Sequence, residues 1–199
     1  MRRANRPEPD IRLSRIIMSD AQPASVYDLA HADEAESLAT FAVLVDNEPG
    51  VLHRLVGLFA ARGYNIESLT VAETDRKAHT SRVTIVTRGT PQVLAQIEAQ
   101  LTKMVSTRHV QDVTRDPNGL ERELALVKVK GAGPDRVEAL RVADIFRAKV
   151  IDTTHESFVF ELTGAPSKID KFTDLMRPLG LVEVSRTGVL SIQRGVEVL

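Results

Sequence analysis

Two short stretches carry residue types that could hold a small ligand. Asn47-Glu48-Pro49-Gly50-Val51-Leu52 joins an apolar run to a helical pattern, and the N–H groups of a helix's first turn have no partners inside the helix. Such an end accepts a carboxylate or a phosphate. Gly50 lacks the Cβ that would keep a ligand off the backbone, and Asn47 offers both a donor and an acceptor. The competing reading makes Asn47 a turn or capping residue and Gly50 a means of relieving strain. Asn65, just after Gly63-Tyr64 at a helix-to-strand turn, has the same two readings, because asparagine tolerates a left-handed turn by itself.

Catalytic chemistry has no comparable signal. His31, His53, His79, His109 and His155 are spaced neither with one another nor with acids as metal ligands are. Gly131-Ala132-Gly133 lacks the third glycine of a dinucleotide fingerprint and runs into Pro134, and neither a nucleophile elbow nor a Walker loop occurs. Glu121-Arg122-Glu123 reads as a solvated strand entry. With no cysteine, a disulfide framework, a thiolate zinc site and a cysteine nucleophile are excluded. No residue is assigned a catalytic or metal-binding role.

The elements that position these loops follow from patterning. The 199 residues are 43% hydrophobic and 27% charged with a net charge of −1, which suits one large domain or two small ones. Balanced charge argues against a general nucleic-acid binder, and no apolar run approaches the ~18 residues of a membrane span. A cytoplasmic protein is expected.

Residues 1–37 are expected to form a disordered, dispensable tail. Arg2, Arg3, Arg6, Arg12 and Arg15 precede Asp20, Asp28, Asp33, Glu34 and Glu36, with Pro7, Pro9 and Pro23 between them. Only the stretch from Ala24 to Ala35 has some helical periodicity, and Met18 offers an alternative start of translation.

From Leu38 the pattern runs strand (Phe41 to Val45), helix (Val51 to Phe59, ended by Gly63), strand (Ile66 to Val71) and strand (Val83 to Val86), the last two joined across Asp75-Arg76-Lys77. A helix opened by Pro91 and a strand marked by Val105, Val110 and Val113 complete it. After Asp116-Pro117-Asn118-Gly119 the order repeats: Leu124 to Val129, Asp135 to Arg147, Val150 to Thr154, Phe158 to Leu162, Ser167 to Arg177, then Leu181 to Ser185 with Val189 to Ile192. The fold class is α+β, two ferredoxin-like βαββαβ sandwiches over 38–115 and 122–199 with a linker at 116–121. The uncovered sheet faces point to a dimer.

The residues Asp46 to Leu52, Arg62-Gly63-Tyr64-Asn65-Ile66-Glu67-Ser68-Leu69-Thr70-Val71 and Ser81-Arg82-Val83-Thr84-Ile85 resemble the small regulatory subunits of acetolactate synthase. The likeness continues through Leu126-Val127-Lys128-Val129, Glu161-Leu162-Thr163-Gly164 and Arg186-Thr187-Gly188, covering about residues 38–196. It implies an N-terminal ACT domain that pairs side by side with a second copy, and an effector site made of Asn47, Gly50, Val51 and Leu52 of one chain with Asn65 and Ile66 of the other. Pro49 lies where other members often carry Ser. The resemblance further implies partnership with the large catalytic subunit, which carries thiamine diphosphate, magnesium and FAD, and feedback inhibition by valine or a related amino acid. The chain itself is then not an enzyme and holds no cofactor.

Three rivals share the topology or the ligand. An RNA-recognition module needs sheet-face aromatics and basic charge, whereas only Phe41 and Tyr64 lie on the first unit's candidate strands. An acylphosphatase-type hydrolase needs an arginine in the phosphate loop, and none lies between Asp46 and Leu52. A free-standing amino-acid-sensing ACT protein with another partner is the third.

Overall fold

The computed structural model describes residues 35–196, so the expectations for 1–34 and 197–199 lie outside the described residues. The first unit comprises β1 (Ser37–Asp46), α1 (Val51–Arg62), β2 (Ser68–Asp75), β3 (Thr80–Gly89), α2 (Pro91–Thr102) and β4 (Thr107–Asp112). Its sheet is antiparallel with strand order β2-β3-β1-β4. Local chemistry sets the boundaries. Gly63 takes the left-handed conformation (φ 69°) that ends α1. Pro91 opens α2 behind Thr90, whose hydroxyl accepts from the Val93 N–H. The Asp75 carboxylate accepts from the Lys77 and Ala78 N–H groups at 2.7 and 3.1 Å, folding the β2–β3 turn.

Alternation along β1 aims Phe41, Val43 and Val45 at the helices, where they pack with Ile85, Leu55, Phe59, Leu94, Ile97 and Leu101. Val105, expected in the fourth strand, is 98% exposed in the loop before β4, because the strand begins only at Thr107.

The second unit repeats the order with β5 (Gly119–Lys130), α3 (Gly133–Phe146), β6 (Lys149–Thr153), β7 (Ser157–Gly164), α4 (Pro166–Met176) and β8 (Leu181–Arg186), in a sheet ordered β6-β7-β5-β8. Phe160 meets Phe172 edge-on at 6.1 Å inside a core that includes Val127, Leu162, Ile169 and Met176. Both units are therefore ferredoxin-like α+β sandwiches. No helix of the described residues is long and apolar enough to cross a membrane.

Two features depart from the expected plan. Residues 116–121 are not a spacer: Asp116 to Asn118 make a turn, and Gly119 to Glu121 already belong to β5, because a further strand, β9 (Leu190–Gln193), pairs with Gly119 to Arg122. A Cβ at Gly119 would run into the Val113 carbonyl, so glycine alone fits this turn. The second departure is the face of the first sheet turned away from its helices. Thr40, Ala42 and Thr84 are buried there, and on the β2 side the face is covered by the chain's own segment 187–189. Gly188 abuts Ser68 and Thr70 of β2, and the Val189 N–H donates to Ser68 Oγ at 3.1 Å. In β9 the alternation leaves Ser191 buried while Leu190 and Ile192 are 52% and 57% exposed.

Two polar ties secure this arrangement. Glu123 on β5 is 4% exposed, and its carboxylate is gripped by both guanidinium arms of Arg186, which also binds Asp170 of α4 at 2.7 Å. Those bonds hold the Arg186 pKa above its ordinary value, with the Glu123 hydrogen bond as the main cause. Asp116 accepts from Gln193, Gln111 and the Asn118 N–H. The Gln193 bond, then the Asn118 amide, holds its carboxyl below the usual range.

Arg186→Met leaves Glu123 buried and unpaired, and is expected to cost about 2–3 kcal/mol, read as a lower urea midpoint, the partial exposure of Arg186 keeping the loss small for a broken ion pair. Asp116 behaves as a carboxylate with a depressed folded pKa: its contribution is complete above the unfolded value near 4 and fades as pH falls through the lower folded one. The thermal midpoint is expected to fall between about pH 5 and pH 3, less steeply in Asp116→Asn.

Candidate functional site

The loop that leaves β1 is built by four contacts. The Asn47 N–H donates to the His79 carbonyl at 2.7 Å, pinning the loop to the β2–β3 turn. Arg54, one turn into α1, reaches back to Glu48 at 3.0 Å and to Ser106 Oγ at 2.6 Å. The Val51 N–H donates to the Glu48 carbonyl at 3.2 Å. Gly50 then caps α1 with φ +83° and no side-chain cap. A Cβ there would meet only Arg54 Nη1 at 3.9 Å, so the glycine serves the backbone angle and an open approach rather than tight packing.

Asn47 is thus neither the helix cap nor a buried turn residue. It is exposed, and its Nδ2 donates to Glu73 Oε1 at 3.4 Å, which leaves Oδ1 as a free acceptor among the described residues. The amide expected at Val51 is already used inside the loop, whereas those of Gly50, Leu52 and His53 find no acceptor among the described residues. These three N–H groups and the Asn47 oxygen present donors for an anion and an acceptor for a cation at one helix end. Val51 itself is buried in the core, and Leu52 is exposed beside the loop.

Asn65 and Ile66 lie elsewhere. They follow the C-terminal end of α1, whose 12 residues separate them from Gly50 by about 18 Å at 1.5 Å per residue. Asn65 donates from Nδ2 to Glu67 at 3.0 Å, its carbonyl accepts from Thr87 Oγ1 at 2.6 Å, and Ile66 packs half-buried on the first core. The six candidate residues therefore fall into two groups within one chain, one at each end of α1. Glu73, His79, Arg54 and Ser106, which shape the first group, belong to no motif that the sequence displays. The histidines do not gather: no group of three His, Asp or Glu suited to a metal ion occurs among the described residues.

Comparison with known proteins agrees along the chain. Residues 41–109 match the family model of the AHAS small subunit-like ACT domain, and residues 122–195 that of the small subunit of acetolactate synthase. A probable acetolactate synthase small subunit of Archaeoglobus fulgidus is 45% identical over 156 residues, 78% of this chain and 96% of the relative. The acetolactate synthase isozyme 3 small subunit of Escherichia coli is 43% identical over 159 residues, 79% of this chain and 96% of the relative. The crystal structure of an acetolactate synthase small subunit from Thermotoga maritima superimposes with a TM-score of 0.71 at 36% identity, covering 81% of this chain and 99% of that one.

The open space at Gly50 bears on substitution. Gly50→Asp places a side chain among the free amides while leaving the core untouched. Its left-handed backbone costs about 1 kcal/mol, and an acid at a helix N-terminus returns about 0.3–1 kcal/mol. The thermal midpoint is expected to stay within about 4 °C of wild type, measured by circular dichroism.

Proposed function

The chain belongs to the family of acetolactate synthase small subunits, and from that premise we propose that it is the regulatory partner of a catalytic large subunit. In this reading it raises the partner's activity and confers feedback inhibition by a branched-chain amino acid, valine first among them. It makes no acetolactate alone; thiamine diphosphate, magnesium and FAD are held by the catalytic subunit.

The observation that carries the reading is the separation of the two groups, taken as half-sites, by the length of α1. An amino acid reaching only ~6 Å cannot touch both in one chain. Two copies side by side, with the start of one α1 against residues 65–66 of the other, make a complete site. The surface needed for pairing is apolar: Leu52 and Val56 on α1 are 39% and 37% exposed, and Val71 stands exposed on β2, a free sheet edge. In the completed site the α-carboxylate meets the amides of Gly50, Leu52 and His53. The ammonium meets Asn47 Oδ1, and the branched side chain lies against Ile66. Asn65 closes the partner's half.

Reconstitution tests this. The chain alone is expected to be inactive. Added to the large subunit it should raise acetolactate formation and bring valine inhibition with it. A large subunit that is equally active and equally valine-sensitive without this chain would overturn the reading, and would favour an amino-acid sensor serving another partner. Gly50→Asp should activate normally while its valine midpoint rises at least about tenfold, since a carboxylate in the amide cluster repels the ligand's own.

A further inference from the structure

Four consecutive residues, Arg186 to Val189, grip both halves of the molecule. On one side Arg186 holds the buried Glu123 carboxylate and Asp170, and Thr187 bonds Leu124 in both directions, its N–H donating to the carbonyl at 3.0 Å and its hydroxyl accepting from the N–H at 3.2 Å. On the other side Gly188 and Val189 lie on β2. The Val189 N–H donates to Ser68 Oγ at 3.1 Å, and a Cβ at Gly188 would stand 2.6 Å from Ser68 Oγ and 2.8 Å from Thr70 Oγ1. The φ of +83° at Gly188 independently demands glycine. Ser68 lies two residues beyond Ile66 of the second half-site. A 510 Å³ cleft opens beside this contact, bordered by Leu38, Leu69, Val86 and Arg88 of the first unit and by Pro166 and Asp170 of α4.

The joint sets the buried Val189 beside polar groups that are incompletely bonded. Thr70 Oγ1 and Ser191 Oγ are buried without partners among the described residues, as are Arg82 Nε on β3 and Glu121 Oε1 on β5. In the sheet register Thr70 pairs Thr84 and Ala72 pairs Arg82, on the face away from the helices, while Glu121 pairs Ser191 across β5 and β9. Contacts of this kind, short of hydrogen bonds, belong to the part of a fold that opens first.

We infer that the turn Arg186–Val189 is a clasp that transmits occupancy of the effector site to the second unit, through Ile66, Ser68 and the Ser68–Val189 bond to Arg186 and Glu123. The inference rests on the reading that residues 65–66 contribute to an amino-acid site, and it names the route by which that site is heard at a distance. The clasp residues touch no ligand in that reading; they are positioning residues.

The test uses Ser68→Ala, which removes only the acceptor, and Gly188→Ala, which forces the turn off β2. Titration calorimetry of the full chain with valine measures binding, and reconstitution with the large subunit measures activation and inhibition. Both variants are expected to bind valine within about twofold of wild type and to activate fully, yet to be inhibited by saturating valine at most about half as far, the mark of lost coupling with kept affinity. In wild type, valine should also change hydrogen exchange of the Val189 amide at least about threefold, and in Ser68→Ala it should not. Variants that are inhibited as completely as wild type, or a Val189 amide indifferent to valine, overturn the clasp while leaving the proposed function standing. Failure of the wild-type chain to bind valine overturns both.

Discussion

One strand must satisfy two sets of neighbours. The first four residues of β5 hydrogen-bond to β9, and from Glu123 onward the same strand pairs with β7 and β8. Because a strand is stiff over this length, the β9 end and the second sheet cannot be placed independently, and Glu123 stands at the changeover. A carboxylate at that point is buried and needs a cation, which the end of β8 supplies as Arg186. The turn that follows Arg186 is thereby brought onto β2 of the first sheet.

That return path explains how two small sandwiches coexist in one chain. A four-stranded sheet with helices on one side leaves its other face in water, and for the first unit β2's part of this face is occupied by the 187–189 turn. What the chain leaves uncovered is as informative: the outward residues of α1 beside the Asn47 loop, and the edge of β2. Ligand chemistry and unsatisfied surface thus concentrate at one rim of the first unit, while the remaining contacts are used to bind that unit to its neighbour.

Much of this was legible in the residues, for physical reasons that differ by scale. Gly63, Thr90-Pro91 and Asp75 report boundaries because the interactions they make span at most a few positions. The repeat of strand and helix patterns was equally plain, since each apolar stripe names its own core. Leu52 and Val56 stand on the outward side of a helix whose buried stripe is Val51, Leu55 and Phe59, and apolar type alone does not tell the two sides apart. Val105, expected in the fourth strand, misled for a like reason. The β5–β9 pairing and the Glu123–Arg186 tie could not be read locally: their partners stand 63 to 74 positions apart, and Glu121-Arg122-Glu123 looks like any solvated charge run. For the candidate site, residue types singled out the two loops that flank α1. That Glu73, His79 and Ser106 gather around the first of them is a fact of three dimensions.

The joint between the first sheet and the β8–β9 segment has a thermal consequence. Opening either core exposes mostly hydrocarbon, which raises the heat capacity, whereas opening this joint exposes Val189 together with Thr70, Glu121 and Ser191, and the hydration of the polar groups offsets part of that rise. Its adhesion therefore depends less on temperature than that of the hydrophobic cores on either side, which weaken on cooling. The balance between closed and open joint then follows hydrogen-bond geometry more closely than either core does.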